Sequence, residues 1–377
     1  MSKPGVMASE TTATLDRRRI HAGWRPELDI LLGATSAFVD SSAQERIRQL
    51  LDGSIDWDSL LESAQRHRIV PLLNRALRAA GENRIPAAVQ TKLHAASFEN
   101  VWRSLLLIGE TAEVLEMFKA NGIQGLPYKG PALSILLYGD TALRQCGDLD
   151  ILVPEKDVPK AMELLATRNY VCVTTHATAD KDRRFVRNDG RVVVELHWAV
   201  TSQNFACRFD VERLWHDLSH VKLAGRSIAH VSPENLLLIL TVHGTKHHWE
   251  RLLWILDIAQ FVRVYPNFDW VRTFEVATKY GIARMLRLAL TLARDLGGAA
   301  LPPTASRLVA ADPEVQRLAN QIIHSVIDGT HQNWTRADKS SFFMAVRERR
   351  VDKLRFAARM IVHAVSTRVR SAKGKTE

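Results

Sequence analysis

Two aspartates separated by one residue, Asp148 and Asp150, stand in the run Gly147-Asp148-Leu149-Asp150-Ile151-Leu152-Val153. In a strand, side chains at i and i+2 share a face, so both carboxylates point one way while Leu149 and Ile151 enter a core. Carboxylates that close repel each other unless a cation lies between them. An isolated pair of this kind is more often a turn feature ahead of a strand. Here Asp150 sits inside the apolar run, where an unpaired charge is costly. A third acid, Glu195, is the only one in Arg191-Val192-Val193-Val194-Glu195-Leu196-His197-Trp198, a strand by its β-branched content. If that strand lies beside the one bearing Asp150, three carboxylates converge on one sheet edge. Such a set suits one or two Mg2+ (or Mn2+) ions, which take hard oxygen ligands and keep positions for water and phosphate oxygens.

Tyr128-Lys129-Gly130-Pro131 marks a strand turning into a helix. Gly130 lets backbone approach a ligand, Pro131 suits the first helical turn, and the free amides there face an anion, with Lys129 adding charge. A plain strand-to-helix junction has the same signature. Arg144, four residues before Asp148, offers a planar fork either to a phosphate or to a salt bridge with Asp140 or Asp148. Farther on, Val242-His243-Gly244-Thr245-Lys246-His247-His248-Trp249-Glu250 continues to Trp254 and Asp257. On one continuous helix His243, Lys246, His247, Glu250, Trp254 and Asp257 share a stripe. His243 and His247 have the spacing of a zinc pair, yet no glutamate follows His243 and no third ligand is evident. The stripe reads either as a cleft wall that contacts base, phosphate or acceptor or as hydrogen-bonded histidines between helices.

The elements that must position these residues follow from pattern. From Leu28 to Phe118 apolar residues recur at three and four positions, with breaks near Gly53, Gly81 and Pro86; the run from Ile55 to Leu61 reads as a capped helix start, and Asn121-Gly122 ends another helix. Short apolar runs at 123–128, 149–153, 170–174 and 192–198 read as strands, and 131–138 and 158–167 as helices. Beyond Gly225 the strand signals stop, and Ser232-Pro233-Glu234 opens a helical series that reaches Ile327, interrupted at Pro266 and Leu301-Pro302-Pro303. The expected organisation is α+β: a flexible N-terminus (1–25), an N-terminal helical region (26–100), a small mixed-sheet core (101–225), a C-terminal helical domain (226–335) and a basic helical or disordered tail (336–377).

Composition sets outer limits. With 46% apolar and 24% charged residues the chain is neither disordered nor fibrous. Of the net charge of +10, residues 341–377 carry +7 (ten Lys/Arg against three Asp/Glu) and residues 1–19 carry +2, leaving about +1 for the rest. A nucleic-acid role would therefore rest on the tail, whose run from Arg347 to Lys375 reads first as a solvated end. Cys146, Cys172 and Cys207 leave one thiol unpaired under any disulfide scheme, which fits a reducing, cytoplasmic setting. No signal peptide and no apolar run near the ~20 residues of a membrane span is visible.

The glycine-led turn, the paired aspartates and the lone acid on a later strand resemble the DNA polymerase β-like nucleotidyltransferases. More narrowly, Lys129-Gly130, Leu133, Tyr138-Gly139-Asp140, Arg144, Gly147 to Val153 and Val194-Glu195-Leu196-His197-Trp198 resemble the bacterial uncharacterised nucleotidyltransferase family. Ile55-Asp56-Trp57, His67-Arg68-Ile69-Val70-Pro71-Leu72-Leu73 and the histidine-rich segment extend the likeness over most of the chain. The resemblance implies a nucleotidyltransferase core at 101–225 that transfers a nucleoside monophosphate from an NTP, ATP first, to an unidentified acceptor with release of pyrophosphate. Asp148, Asp150 and Glu195 would be catalytic and hold Mg2+; Lys129, Gly130 and Arg144 would bind the nucleotide. His197, His243, Lys246, His247 and Asp257 would meet acceptor or nucleotide. The acceptor is left open among small molecule, protein, RNA end and sugar. One departure is plain: the superfamily's Gly-Ser pair is replaced by Lys129-Gly130-Pro131, leaving Lys129 or Ser134 to substitute for the serine. That loss supports a different reading, an inactive nucleotide-binding or interaction protein that keeps the fold.

Overall fold

The computed structural model describes residues 25–36, 41–174, 181–202, 205 and 209–373. All of the expected flexible N-terminus except Arg25 lies outside them, as does Cys207. Five helices come first: α1 (Pro26–Ser36), α2 (Ser41–Leu50), α3 (Trp57–Arg66), α4 (Val70–Gly81) and α5 (Ala87–Ala120). Asp56 caps α3 by accepting the Ser59 amide at 3.0 Å, and Gly81, at φ +139°, ends α4. The expected boundary at 100/101 falls inside α5, which runs unbroken for 34 residues. No proline or glycine interrupts it before Gly109, and a side chain at Gly109 would meet nothing. Val89 and Leu93 of α5 join the larger apolar core, while Leu107, Val114 and Phe118 join a second core against the sheet.

The sheet has the order β1-β2-β5-β4-β3, from β1 (Leu126–Pro127), β2 (Leu149–Leu152), β3 (Tyr170–Cys172), β4 (Asp182–Arg187) and β5 (Val193–His197). Strands β2 and β5 are parallel and the other pairings antiparallel. Helices α6 (Gly130–Tyr138) and α7 (Val158–Thr167) fall where the pattern predicts them. Strand β4 carries four charged residues in six, which hid it from sequence, yet it is paired on both sides.

After α8 (Glu212–His216) comes a hairpin, β6 (Leu218–Leu223) and β7 (Arg226–Val231). This corrects the expectation that strands end at Gly225. Ala224 and Gly225, at φ +50° and +75°, form the left-handed turn that suits a two-residue hairpin, but without the Asn-Gly that signals one.

The C-terminal part holds α9 (Pro233–Lys246), α10 (Leu252–Val264), α11 (Trp270–Tyr280), α12 (Ala283–Asp295), α13 (Pro303–Ala310), α14 (Pro313–Ile327), α15 (Arg336–Ala345) and α16 (Arg350–Lys373). Ser232 caps α9 through the Asn235 amide. The continuous helix expected from His243 to Asp257 is broken at residues 247–251. His248 and Trp249 both take φ +55°, and the Trp249 ring folds back onto Gly244, where any Cβ would overlap it. The larger core unites the N-terminal helices, α6 and the C-terminal helices.

The tail also differs from its expected solvated state at its start. Arg347 is 1% exposed, lies 4.2 Å from the Phe356 ring centroid and donates to the Phe343 and Phe205 carbonyls. Aromatic faces and carbonyls replace water around its charge. Among the described residues no helix is long and apolar enough to cross a membrane.

Candidate active site

Parallel pairing of β2 with β5 sets Asp150 opposite Glu195. The condition on which the three-carboxylate reading depended is therefore met, and Asp148 enters the same edge two residues earlier. The approach to that edge is built by α5: Asn100 Nδ2 donates to the Ala142 carbonyl at 2.6 Å and Ser104 Oγ to that of Thr141 at 3.1 Å. Arg103 spans the Cys146 and Gly147 carbonyls at 3.1 and 2.5 Å. Opposite, Gly130 opens α6 at φ +63°, with the Asp148 carbonyl 3.1 Å from where a Cβ would stand. A side chain at 130 would both strain the turn and press on the aspartate loop.

Asp150 is 4% exposed. Its Oδ1 lies 2.7 Å from Lys129 Nζ and 3.3 Å from His197 Nε2, and His197 Nε2 is also 3.5 Å from Glu195 Oε2. These are contacts of charge and distance: Oδ1 and both His197 ring nitrogens are buried without an aligned hydrogen bond. Burial pushes the Asp148 carboxyl above its ordinary range, and the charges of Asp150 and Glu195 add to that. Burial acts on Asp150 in the same direction, but Lys129 and then His197 overcome it and hold this carboxyl well below the usual range. The Glu195 carboxyl is lowered chiefly by its close approach to the His197 ring.

The far wall comes from the end of α9 and the turn after it. Lys129 Nζ is 3.4 Å from His243 Nδ1, and burial, then the Lys129 charge, keep His243 neutral by pushing its pKa well down. His247 is likewise lowered to about 3 by burial and then by Lys246. The His243 and His247 rings each lie 5.1 Å from that of Trp254, and the Arg251 guanidinium lies over the Trp254 ring, 5.2 Å from its centroid. Between sheet edge and wall lies a cleft of about 310 Å³ that brings together Lys129, Gly130, Arg144, Asp148, Asp150, Glu195, His243, Lys246 and His247.

Two expected contacts are placed elsewhere. Asp257 is 1% exposed, off the cleft wall, and His197 stands behind the carboxylates with its ring 5.3 Å from Tyr128. Arg144 borders the cleft, but its fork grips Asp257 through Nε and Nη2, each at 2.9 Å, rather than Asp140, Asp148 or open space. Tyr138 completes this set, its hydroxyl donating to Asp257 Oδ1 at 3.0 Å. Ser134 also turns away: its hydroxyl is buried inside α6, donating to the Gly130 carbonyl at 3.3 Å.

Sequence reasoning passed over Arg68, Gln145, Lys181, Asp182 and Arg251 as site residues, all of which line the cleft. Arg68 lies against Gly147, where a Cβ would come within 3.0 Å of its Nη1. Its signal was present in the His67-to-Leu73 run that carried the family likeness. Lys181, lowered to about 8 by burial and then by Lys246, precedes the strand that charge concealed.

The donors fit a hard divalent cation. One ligand atom each from Asp150, Glu195 and His197 lie within 4.8 Å of one another, Asp148 adds an oxygen on the same face, and Asp150 keeps lone pairs without aligned donors. Acids on adjacent strands thus face a cleft that opens at the start of a helix and is lined by Arg68, Lys129, Lys181, Lys246 and Arg251. Residues 53–298 match the family described as uncharacterised nucleotidyltransferase, and the chain belongs to that family. Among solved structures, an antigenic nucleotidyltransferase-like protein from Paracoccidioides brasiliensis is similar at 16% identity and a TM-score of 0.34, over 55% of this chain and 93% of that one. No curated protein matches.

Proposed function

We propose that this chain is a divalent-metal-dependent nucleotidyltransferase that moves a nucleoside monophosphate from an NTP, ATP first, to a hydroxyl or similar acceptor. The observation that carries this reading is the Asp150–Glu195 register, with Asp148 on the same edge of a cleft lined by Arg68, Lys181, Lys246 and Arg251. Asp148, Asp150 and Glu195 would hold Mg2+, which when bound neutralises triphosphate oxygens and orients the displacement. The cationic lining supplies the remaining countercharge to the phosphates, and the first turn of α6 offers backbone amides. Trp254 and His247, neutral and partly exposed, offer a face on which a base can stack.

Glu195, whose side chain is 28% exposed, is the acid placed to receive the acceptor's proton. The acceptor oxygen bonds to the α-phosphorus, the bond from that phosphorus to the bridging oxygen breaks, and pyrophosphate leaves with its electron pair. Positioning and charge neutralisation do most of this work.

The test is to incubate the full chain with each labelled NTP and Mg2+ or Mn2+, alone and with cell extract, beside Asp148→Asn plus Asp150→Asn. Metal-dependent pyrophosphate release by the wild type and its loss in the double variant are the expected results. No release and no metal-dependent nucleotide binding by the wild type would overturn the reading.

A further inference from the structure

A site that works with two divalent ions holds them about 3.5–4 Å apart, and a shared carboxylate faces both. Asp150 is the acid placed for that role, between Asp148, one residue before the start of its strand, and Glu195 on the next strand. One of its oxygens is already engaged: Lys129 Nζ stands 2.7 Å from Oδ1. A divalent ion takes oxygen ligands at about 2.0–2.1 Å, so an ammonium and a second ion on this oxygen would face each other with little water between them.

Lys129 is also held in place. Its side chain is 11% exposed, its Nζ meets His243 Nδ1 at 3.4 Å, and it lies 5.2 Å from the Tyr128 ring centroid. The backbone beneath it is fixed by the left-handed turn at Gly130, pressed against the Asp148 carbonyl. A lysine tethered on three sides in a buried place is a built cation, unlike a surface side chain that a metal displaces at little cost.

We propose that Lys129 supplies, at Asp150, the positive charge that a second metal supplies in a two-ion site, so that this carboxylate set takes up one divalent ion per chain. The proposal rests on the nucleotidyltransferase reading above and deepens it, assigning to Lys129 a role distinct from that of the missing serine. The Lys129 ammonium would stay beside Asp150, and Asp148, Asp150 and Glu195 together would hold the single ion.

The experiment counts ions without asking for turnover. Mn2+ is titrated into the full chain with no nucleotide, and free ion is read by electron paramagnetic resonance, for wild type, Lys129→Met and Lys129→Arg, each checked for folding by its thermal melt. The expected result is about one ion in the wild type, about two in Lys129→Met, where Asp150 is released, and about one in Lys129→Arg, where the charge returns. Two ions in the wild type, or an unchanged count in a folded Lys129→Met, overturns the one-ion proposal and leaves the transferase reading standing. No bound ion in any of the three overturns the one-ion proposal and leaves the transferase reading to its own nucleotide-dependent test. If Lys129→Met does not fold, the wild-type count decides alone.

Discussion

Two buried ion pairs reach the same cleft and are built on opposite plans. Arg144–Asp257 is closed: both carboxylate oxygens meet guanidinium nitrogens, and Tyr138 adds a third donor. Burial opposes the Arg144 charge, but Asp257 outweighs it and raises its pKa. Lys129–Asp150 is open: a single close approach, with Oδ1 and the neighbouring His197 nitrogens left without aligned hydrogen bonds. A closed pair satisfies its own desolvation and has nothing left for a ligand. An open pair keeps charge and lone pairs available, which costs stability unless a ligand repays it.

The largest expected effect falls on the closed pair. Asp257→Ala strands a buried guanidinium and should cost about 3–5 kcal/mol of folding stability by chemical denaturation; a loss near zero would erase the contrast. Asp150→Asn should do the reverse, leaving the melting temperature near that of the wild type while lowering transfer on the order of 10²–10³-fold. Comparable damage to stability in both variants would show that the two pairs are alike.

A third buried polar group sharpens the comparison with pH. His67 Nδ1 accepts the Leu252 amide at 3.3 Å, and burial, then Arg66, lower its pKa from 6.5 to about 3. Below pH 6.5 the unfolded chain binds a proton that the folded chain refuses. Stability is therefore full above 6.5 and falls as pH drops toward 3, by about 2 kcal/mol from this group at pH 5. His67→Gln should flatten that slope in pH-dependent melts; an unchanged slope would assign it to other groups. The smallest effect is Gly130→Ala, worth about 1 kcal/mol or a little more, read as a lowered melting temperature with weakened Mn2+ uptake because the added Cβ presses on the Asp148 carbonyl. Uptake equal to the wild type's would mean that the turn does not position Asp148.

Much of the site was legible because its signals are local. A short apolar run at 149–153 and a β-branched one at 192–198 read as two strands, whose acids come together once the strands pair. The pairing itself was a condition the sequence left open, since β2 and β5 are separated by α7, β3 and β4. The partnership of Arg144 with Asp257 stayed hidden: the sequence leaves Arg144 open between a phosphate and a salt bridge to Asp140 or Asp148, and its partner is 113 positions away. The α9–α10 break escaped because Trp249 and His248 are not residues that announce a left-handed turn; only the ring's need for Gly244 explains it. β4 and the β6–β7 hairpin escaped for a related reason, their edges being charged or polar where a strand pattern asks for alternation.

Helix α5 ties one bank of the cleft to both cores. At 1.5 Å per residue its 34 residues form a spar about 50 Å long, anchored in the helical core at one end and in the sheet core at the other. Near its middle, Asn100, Arg103 and Ser104 rivet the loop that delivers Asp148. That bank of the cleft has no joint. The loop that delivers Asp148 is thereby held by a single helix that belongs to both cores at once.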